Sequence, residues 1–254
     1  SKFHFMKVAF LTSGGIAPCL SAAIGRLIKN YSIENATVEL IGYLHGYKGL
    51  LSGNSISFSQ EVINSAEILY QFGGSPIGNS RVKLSNVDDC VKNSYINAGE
   101  DPLEVSAEQL IRDEVDILHT IGGDDTNSMA GKLATYLTNN GHKLTVVGLP
   151  KTVDNDIVPI HQTLGAWTAA EQGAIFFENI ANENTTSSRQ LIIHEVMGRN
   201  CGWLTATTAQ EYRKRLKNRE FLPSLLIDQD RWDVDAVYIP EVIINIKAES
   251  QRLK

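Results

Sequence analysis

Lys7-Val8-Ala9-Phe10-Leu11-Thr12-Ser13-Gly14-Gly15-Ile16-Ala17-Pro18 is an apolar run that ends in hydroxyls and two glycines and passes through a proline into a helical pattern from Leu20 to Asn30. A short apolar strand, a glycine turn and a longer stretch at helical spacing together make the βαβ signature of a parallel sheet. The alternation recurs along the chain. Apolar runs suited to strands lie at Lys7 to Thr12, Val38 to Gly42, Val115 to Ile121, Leu144 to Leu149, Gln190 to Glu195 and Ala236 to Ile239. Helical patterns lie at Leu20 to Asn30, Ala107 to Asp113, Ser128 to Asn139 and Gly165 to Asn182. The expected fold is α/β, an open Rossmann-like parallel sheet, and past Asn155 a second run of alternating elements begins a second, similar domain.

Bulk properties narrow the chemistry. The chain has 254 residues and a formal charge of −6, and its Lys and Arg residues are scattered apart from one cluster, Arg213 to Arg219. That cluster has helical spacing with Glu residues at both ends and reads as a solvated helix face. No extended basic surface is left for a polyanion, so no nucleic-acid partner is expected. Cys19, Cys90 and Cys201 are odd in number and widely spaced, which reads as reduced thiols rather than a disulfide framework or a zinc site. The apolar run Val8 to Leu11 is too short for a signal core or a membrane span, so a cytoplasmic protein with no membrane partner is expected. The chain starts at Ser1 and stops at Lys254 inside a polar helical pattern, AESQRLK, with no capping residue after it; a fragment or truncated product is expected.

In open parallel sheets ligands bind beyond the C-terminal ends of the strands, so the residues just after each apolar run carry the interest. After the first run, Thr12-Ser13-Gly14-Gly15 leads into a helix and offers backbone N–H groups and a positive helix end to an anion. A turn of this kind also needs glycine for steric reasons alone. After the third run, Gly122-Gly123-Asp124-Asp125-Thr126-Asn127 sets two adjacent carboxylates before a helix expected to begin near Ser128. One or two carboxylates completed by phosphate oxygens suit Mg²⁺. A helix cap would require one acid and no Gly-Gly pair.

The next segment, Pro150-Lys151-Thr152-Val153-Asp154-Asn155-Asp156, joins a cation, a hydroxyl and two carboxylates. Phosphoryl transfer to an alcohol needs a base near the attacking hydroxyl and a positive group for the spreading charge, and this segment holds both. A polar Asx turn is the plainer alternative. Farther on, Glu195-Val196-Met197-Gly198-Arg199-Asn200-Cys201-Gly202 sets an arginine between glycines, suited to a sugar phosphate or to an ordinary surface loop. Gly73-Gly74-Ser75-Pro76-Ile77-Gly78-Asn79-Ser80-Arg81 ends in an arginine that could reach a transferring phosphoryl group; its alternative is a flexible loop.

In this order and spacing, SGGIAP at Ser13, GGSPIGNSR at Gly73, GGDDT at Gly122, PKTVDND at Pro150, MGRNCG at Met197 and Pro240-Glu241 resemble the phosphofructokinase family, from Lys7 to Glu241. The resemblance implies a phosphoryl-donor domain over residues 1–158 and part of a fructose 6-phosphate domain over 159–254. It implies that Gly14 and Gly15 line the donor site, that Arg81 stabilises the transferred group and that Asp124 holds Mg²⁺. Asp154 would be the base toward the sugar 1-hydroxyl, assisted by Thr152 and Asp156. Met197, Gly198, Arg199 and Glu241 would contact fructose 6-phosphate, and Thr152 and Asp154 would touch it too. Arg189 is near a further arginine position of the family and is not assigned to it.

ATP-using relatives generally carry glycine where this chain has Asp125 and Lys151, so the pair resembles pyrophosphate users. Larger side chains there would fill the room of a nucleotide α-phosphate, while an ammonium suits a compact, highly charged donor. The expected reaction is transfer from pyrophosphate to fructose 6-phosphate by a homo-oligomer. The alternatives are an ATP-dependent phosphofructokinase and an inactive fragment or regulatory homologue.

Overall fold

Strand β1 (Lys7–Ser13) is buried on both sides from Val8 onward, as a central strand of a parallel sheet must be. Alternation sends Ala9 and Leu11 into one core with Tyr43, Tyr47, Leu50, Leu110, Leu118, Leu133 and Leu137. Phe10 points the other way, stacked on Phe58 and His119 at centroid distances of 6.0 and 5.7 Å. The computed structural model describes residues 5–188 and 190–254 and separates into two units, the first ending at Thr152 and the second beginning at Val153. Arg189 lies outside the described residues.

In the first unit β1 is followed by α1 (Leu20–Glu34), β2 (Glu39–Tyr43), α2 (Tyr47–Ser52), β3 (Ser55–Ser57) and α3 (Gln60–Asn64). Then come β4 (Asn79–Ser80), α4 (Val87–Lys92), α5 (Pro102–Arg112), β5 (Ile117–Gly122), α6 (Asp124–Asn139) and β6 (Thr145–Thr152). The sheet order is β3-β2-β1-β5-β6, with β4 beside the end of β1. β1 runs parallel to β2 and to β5, and β5 runs parallel to β6; only β3 is antiparallel, to β2. The β1–β5 register ends with Thr12 opposite Ile121, and the β5–β6 register with Gly122 opposite Pro150. The C-terminal ends of β1, β5 and β6, with β4 beside Thr12 and Ser13, therefore share one edge of this unit.

In the second unit α7 (Ala166–Asn184) packs on α8 (Trp203–Lys217), and α9 (Ile246–Arg252) follows. The core there is Ala174, Ala181, Tyr212, Leu216 and Trp232 with Phe177 against them. The basic cluster lies on α8 and is matched by acids: Arg215 and Arg219 meet Glu178 at 2.5 and 3.2 Å, and Arg213 meets Asp233 at 2.8 Å. Among the described residues no helix is long and apolar enough to cross a membrane.

Two expectations need correction here. Gln190 to Glu195 and Ala236 to Ile239 form no strands. Residues 191–198 still alternate between exposed and half-buried, as a strand does, but no described segment pairs with them. A strand exists by its ladder, and an apolar alternating run without a neighbour stays an unpaired extended segment. The second correction is to α6, which begins at Asp124 rather than near Ser128, because Gly123 already takes the capping position.

Candidate functional site

Each unit holds part of the sequence-predicted constellation. In the first unit Gly14 has φ +86°, a conformation that side chains with a Cβ rarely adopt. A Cβ built there would lie 3.2 Å from Thr126 Oγ1, 3.8 Å from Gly123 N and 3.9 Å from Lys151 Nζ. The turn after β1, the start of α6 and the end of β6 thus converge on one bare backbone position. At Gly15 only the Arg81 guanidinium comes near a built Cβ, at 3.9 Å. The start of α6 faces this turn as well, through Gly123 and Thr126, and Cys19, which caps α1, lies within electrostatic reach of Lys151. The Gly14 N–H is also not free for a ligand, since it donates to Ser80 carbonyl at 2.9 Å.

The surrounding bonds fix this geometry. Asn79 Nδ2 donates to Gly14 carbonyl at 2.8 Å, and Thr12 Oγ1 donates to Gly78 carbonyl at 2.9 Å, so the Arg81 loop is tied to the end of β1. Tyr47, fully buried, donates its hydroxyl to Thr126 carbonyl at 2.7 Å and anchors the first turn of α6. Gly122 permits that turn to close on the strand: a Cβ there would sit 2.4 Å from Thr126 Cβ.

Lys151 is 2% exposed, and its ammonium donates to Gly15 carbonyl. Among the described residues no carboxylate forms an ion pair with it. Burial, and then the Arg81 cation, push its pKa below that of an ordinary lysine. Two cations beside a bare turn and a helix N-terminus make a receptor for a compact anion.

Asp124 and Asp125 occupy the first turn of α6, both exposed, and neither caps the helix. That disposes of the capping alternative. Asp125 instead meets Lys83 Nζ at 2.5 Å. Sequence reasoning missed Lys83, although its position two residues after Arg81 on the same loop was a signal. Among the described residues no group of three or more His, Cys, Asp or Glu could hold a metal ion. An exposed carboxylate pair beside this anion receptor fits Mg²⁺ whose remaining ligands would come from a bound anion and water.

In the second unit Asp154 is half-buried, and burial followed by the Asp156 charge raises its pKa, with Arg199 opposing. A carboxylate held toward the neutral range is suited to base work. Asn155 between the two acids has φ 53°. Its Oδ1 accepts from Thr163 N–H at 2.8 Å and its Nδ2 donates to His161 carbonyl at 3.2 Å, bonds six and eight residues along the chain rather than the local Asx turn that the sequence had offered as the plainer reading. The amide between the two acids thus ties their loop to the segment around Thr163.

Arg199, with φ 50°, follows Gly198, and Met197 is 71% exposed rather than packed in a core. Glu241 Oε1 accepts from Gly202 N–H at 2.7 Å, at the start of α8. Met197, Gly198 and Arg199 line a cavity of about 610 Å³ with His194, Tyr212 and Tyr238. Its walls include the unpaired segments around Leu191 and Val237.

A family model described as Phosphofructokinase matches residues 7–253. The chain is 58% identical over 248 residues to a pyrophosphate--fructose 6-phosphate 1-phosphotransferase of Methylomonas methanica, covering 98% of this chain and 61% of that protein. It is 56% identical over 248 residues to the protein of the same name in Methylotuvimicrobium alcaliphilum, with the same 98% and 61% coverage. The chain therefore spans about three fifths of the length of these relatives. Among solved structures, a pyrophosphate-dependent phosphofructokinase from Marinobacter aquaeolei superimposes with a TM-score of 0.69 at 22% identity, over 82% of this chain and 50% of that one, which shows a shared fold.

Proposed function

This chain belongs to the phosphofructokinase family, and from that premise we propose that it is the donor-binding part, with the start of the sugar-binding part, of an enzyme moving a phosphoryl group from pyrophosphate to the 1-hydroxyl of fructose 6-phosphate. The observation that carries the donor assignment is Lys151: a buried ammonium directed at the Gly15 carbonyl beside Arg81, in a position where a nucleotide user needs space. Relatives named for pyrophosphate support the same reading at 58 and 56% identity.

Gly14 and Gly15 bring backbone close to the donor, and Arg81 and Lys151 supply positive charge against which negative charge on the transferred group can spread. Asp125, held by Lys83, and Lys151 exclude the bulk of a nucleotide. Asp124, with Asp125 beside it, would hold Mg²⁺, which neutralises charge on the donor phosphates when bound. Asp154 takes the proton of the 1-hydroxyl as its oxygen attacks phosphorus and the other phosphate leaves. Asp156 keeps Asp154 basic by like-charge repulsion, and Thr152 orients the attacking group. Met197, Gly198, Arg199 and Glu241 hold the sugar phosphate.

The test measures fructose 1,6-bisphosphate from fructose 6-phosphate and Mg²⁺ with pyrophosphate or ATP as donor. It uses a chain in which the remaining residues of the Methylomonas methanica relative follow Lys254. Turnover with pyrophosphate and not with ATP is expected. Turnover with ATP alone would overturn the donor assignment, and none with either would overturn the reaction.

A further inference from the structure

The loop that carries Asp154 is bonded to the loop that carries Arg199 through one side chain that the mechanism above does not use. Cys201 Sγ donates to the Asp154 backbone carbonyl at 3.3 Å. Its own N–H donates to Gly198 carbonyl at 2.8 Å, closing the turn in which Arg199 takes its positive φ. The next residue, Gly202, gives its N–H to Glu241. One short stretch thus ties together four residues assigned here to base and sugar-phosphate roles.

We propose that Cys201 is a positioning residue for Asp154, its thiol fixing the base loop against the sugar-phosphate loop so that the Asp154 carboxylate keeps its half-buried place beside Arg199. The inference rests on the functional reading of Asp154 given above. From the far side the Asp154 loop is held by Asn155, whose amide spans to His161 and Thr163. That clamp fixes the shape of the loop through His161 and Thr163. Cys201 supplies a bond to the Arg199 turn, and its thiol is free of a disulfide, half-buried and able to donate, as a hydroxyl at the same place also would.

The direction of the consequence follows from the surroundings of Asp154. Without the thiol bond the base loop gains freedom and the carboxylate gains water, and burial is the larger cause of its raised pKa. Misplacement of a base lowers turnover without weakening the donor's grip, because the donor groups Gly14, Gly15, Arg81 and Lys151 belong to the other unit.

Cys201→Ala and Cys201→Ser separate the thiol's bond from its bulk. In the extended chain described above, Cys201→Ala is expected to lower kcat about tenfold, to leave KM for pyrophosphate unchanged and to move the acid limb of the pH profile to lower pH. Cys201→Ser, which keeps a donor, is expected to restore most of the loss. In the 254-residue chain itself, hydrogen exchange at Ile160 and Thr163, whose N–H groups are bonded within the base loop, is expected to quicken in Cys201→Ala and not in Cys201→Ser. Unchanged exchange in Cys201→Ala, or equal effects of the two variants, would overturn the proposal. If the unsubstituted extended chain is silent with pyrophosphate, the functional reading fails, and exchange alone then decides whether the thiol holds the loop.

Discussion

The two units of this chain treat the same kind of sequence differently. In the first, every apolar run expected as a strand finds neighbours, and the strand ends assemble a rigid anion receptor around Gly14 and Lys151. In the second, two equally apolar runs pair with no described segment, and Leu191 is 70% and Ile193 86% exposed beside a cavity of about 610 Å³. On the function proposed above, the donor groups belong to the unit whose expected strands are all paired. The receptor is built wholly from residues of the first unit. The proposed base, Asp154, follows the paired strand β6 along the chain, whereas the proposed sugar-phosphate groups Met197, Gly198, Arg199 and Glu241 follow the two runs that pair with no described segment.

The largest effect should come from Asp154. Replacing it with Ala in the extended chain is expected to lower kcat by about 10² to 10⁴-fold while pyrophosphate affinity, measured by calorimetry, stays within about twofold. Loss of both together would break the division of labour between the units. Next, Asp125→Gly with Lys151→Gly is expected to weaken pyrophosphate binding by about 10 to 100-fold, the worth of a charged hydrogen bond, and to shift donor preference toward ATP. A preference unmoved by the double change would refute the steric account. Because the Lys151 pKa is lowered, pyrophosphate affinity should also decline on the alkaline side at a lower pH than for an ordinary lysine, and Lys151→Arg should remove that decline.

Smaller effects sharpen the contrast in rigidity. Tyr47→Phe removes the buried bond to Thr126 carbonyl and should cost the first unit about 1 to 3 kcal/mol in a denaturant titration. Amides of residues 191–196 should exchange far faster than those of β1 and β5, whatever the sequence similarity of the runs. The smallest effect concerns His119, buried against Phe10 with Nε2 at 2.6 Å from the Tyr31 hydroxyl and Nδ1 without a partner among the described residues. Burial lowers its pKa. The unfolded chain therefore binds the proton more readily. Its contribution to stability is complete above the unfolded value and is lost as pH falls below about 6.5. Thermal unfolding at pH 7 and pH 5 should show the loss, and His119→Phe should reduce it.

How much of this was legible beforehand depends on the range of the cause. Helix α1 and strands β1, β2, β5 and β6 could be read to within a few residues, because hydrophobic period and glycine turns act over a few positions. The segments Gly122 to Asn127 and Pro150 to Asp156 were legible as candidates for the same reason: their residue types crowd together along the chain. The start of α6 was misplaced because its cap is Gly123, a residue read as part of the ligand turn.

By itself, then, the sequence determined the α/β class and the family and pointed to the segments proposed to bear chemistry, since these are written in local period and residue type. Only the tertiary structure decided that the start of α6 comes to Gly14, that Lys151 reaches Gly15, that Lys83 holds Asp125 and that Cys201 bonds to Asp154. It also decided which apolar runs become strands. The physical reason is common to all of these: a ladder, an ion pair or a bond to a carbonyl needs a partner, and the partner's place is set by the folding of residues far away in the chain.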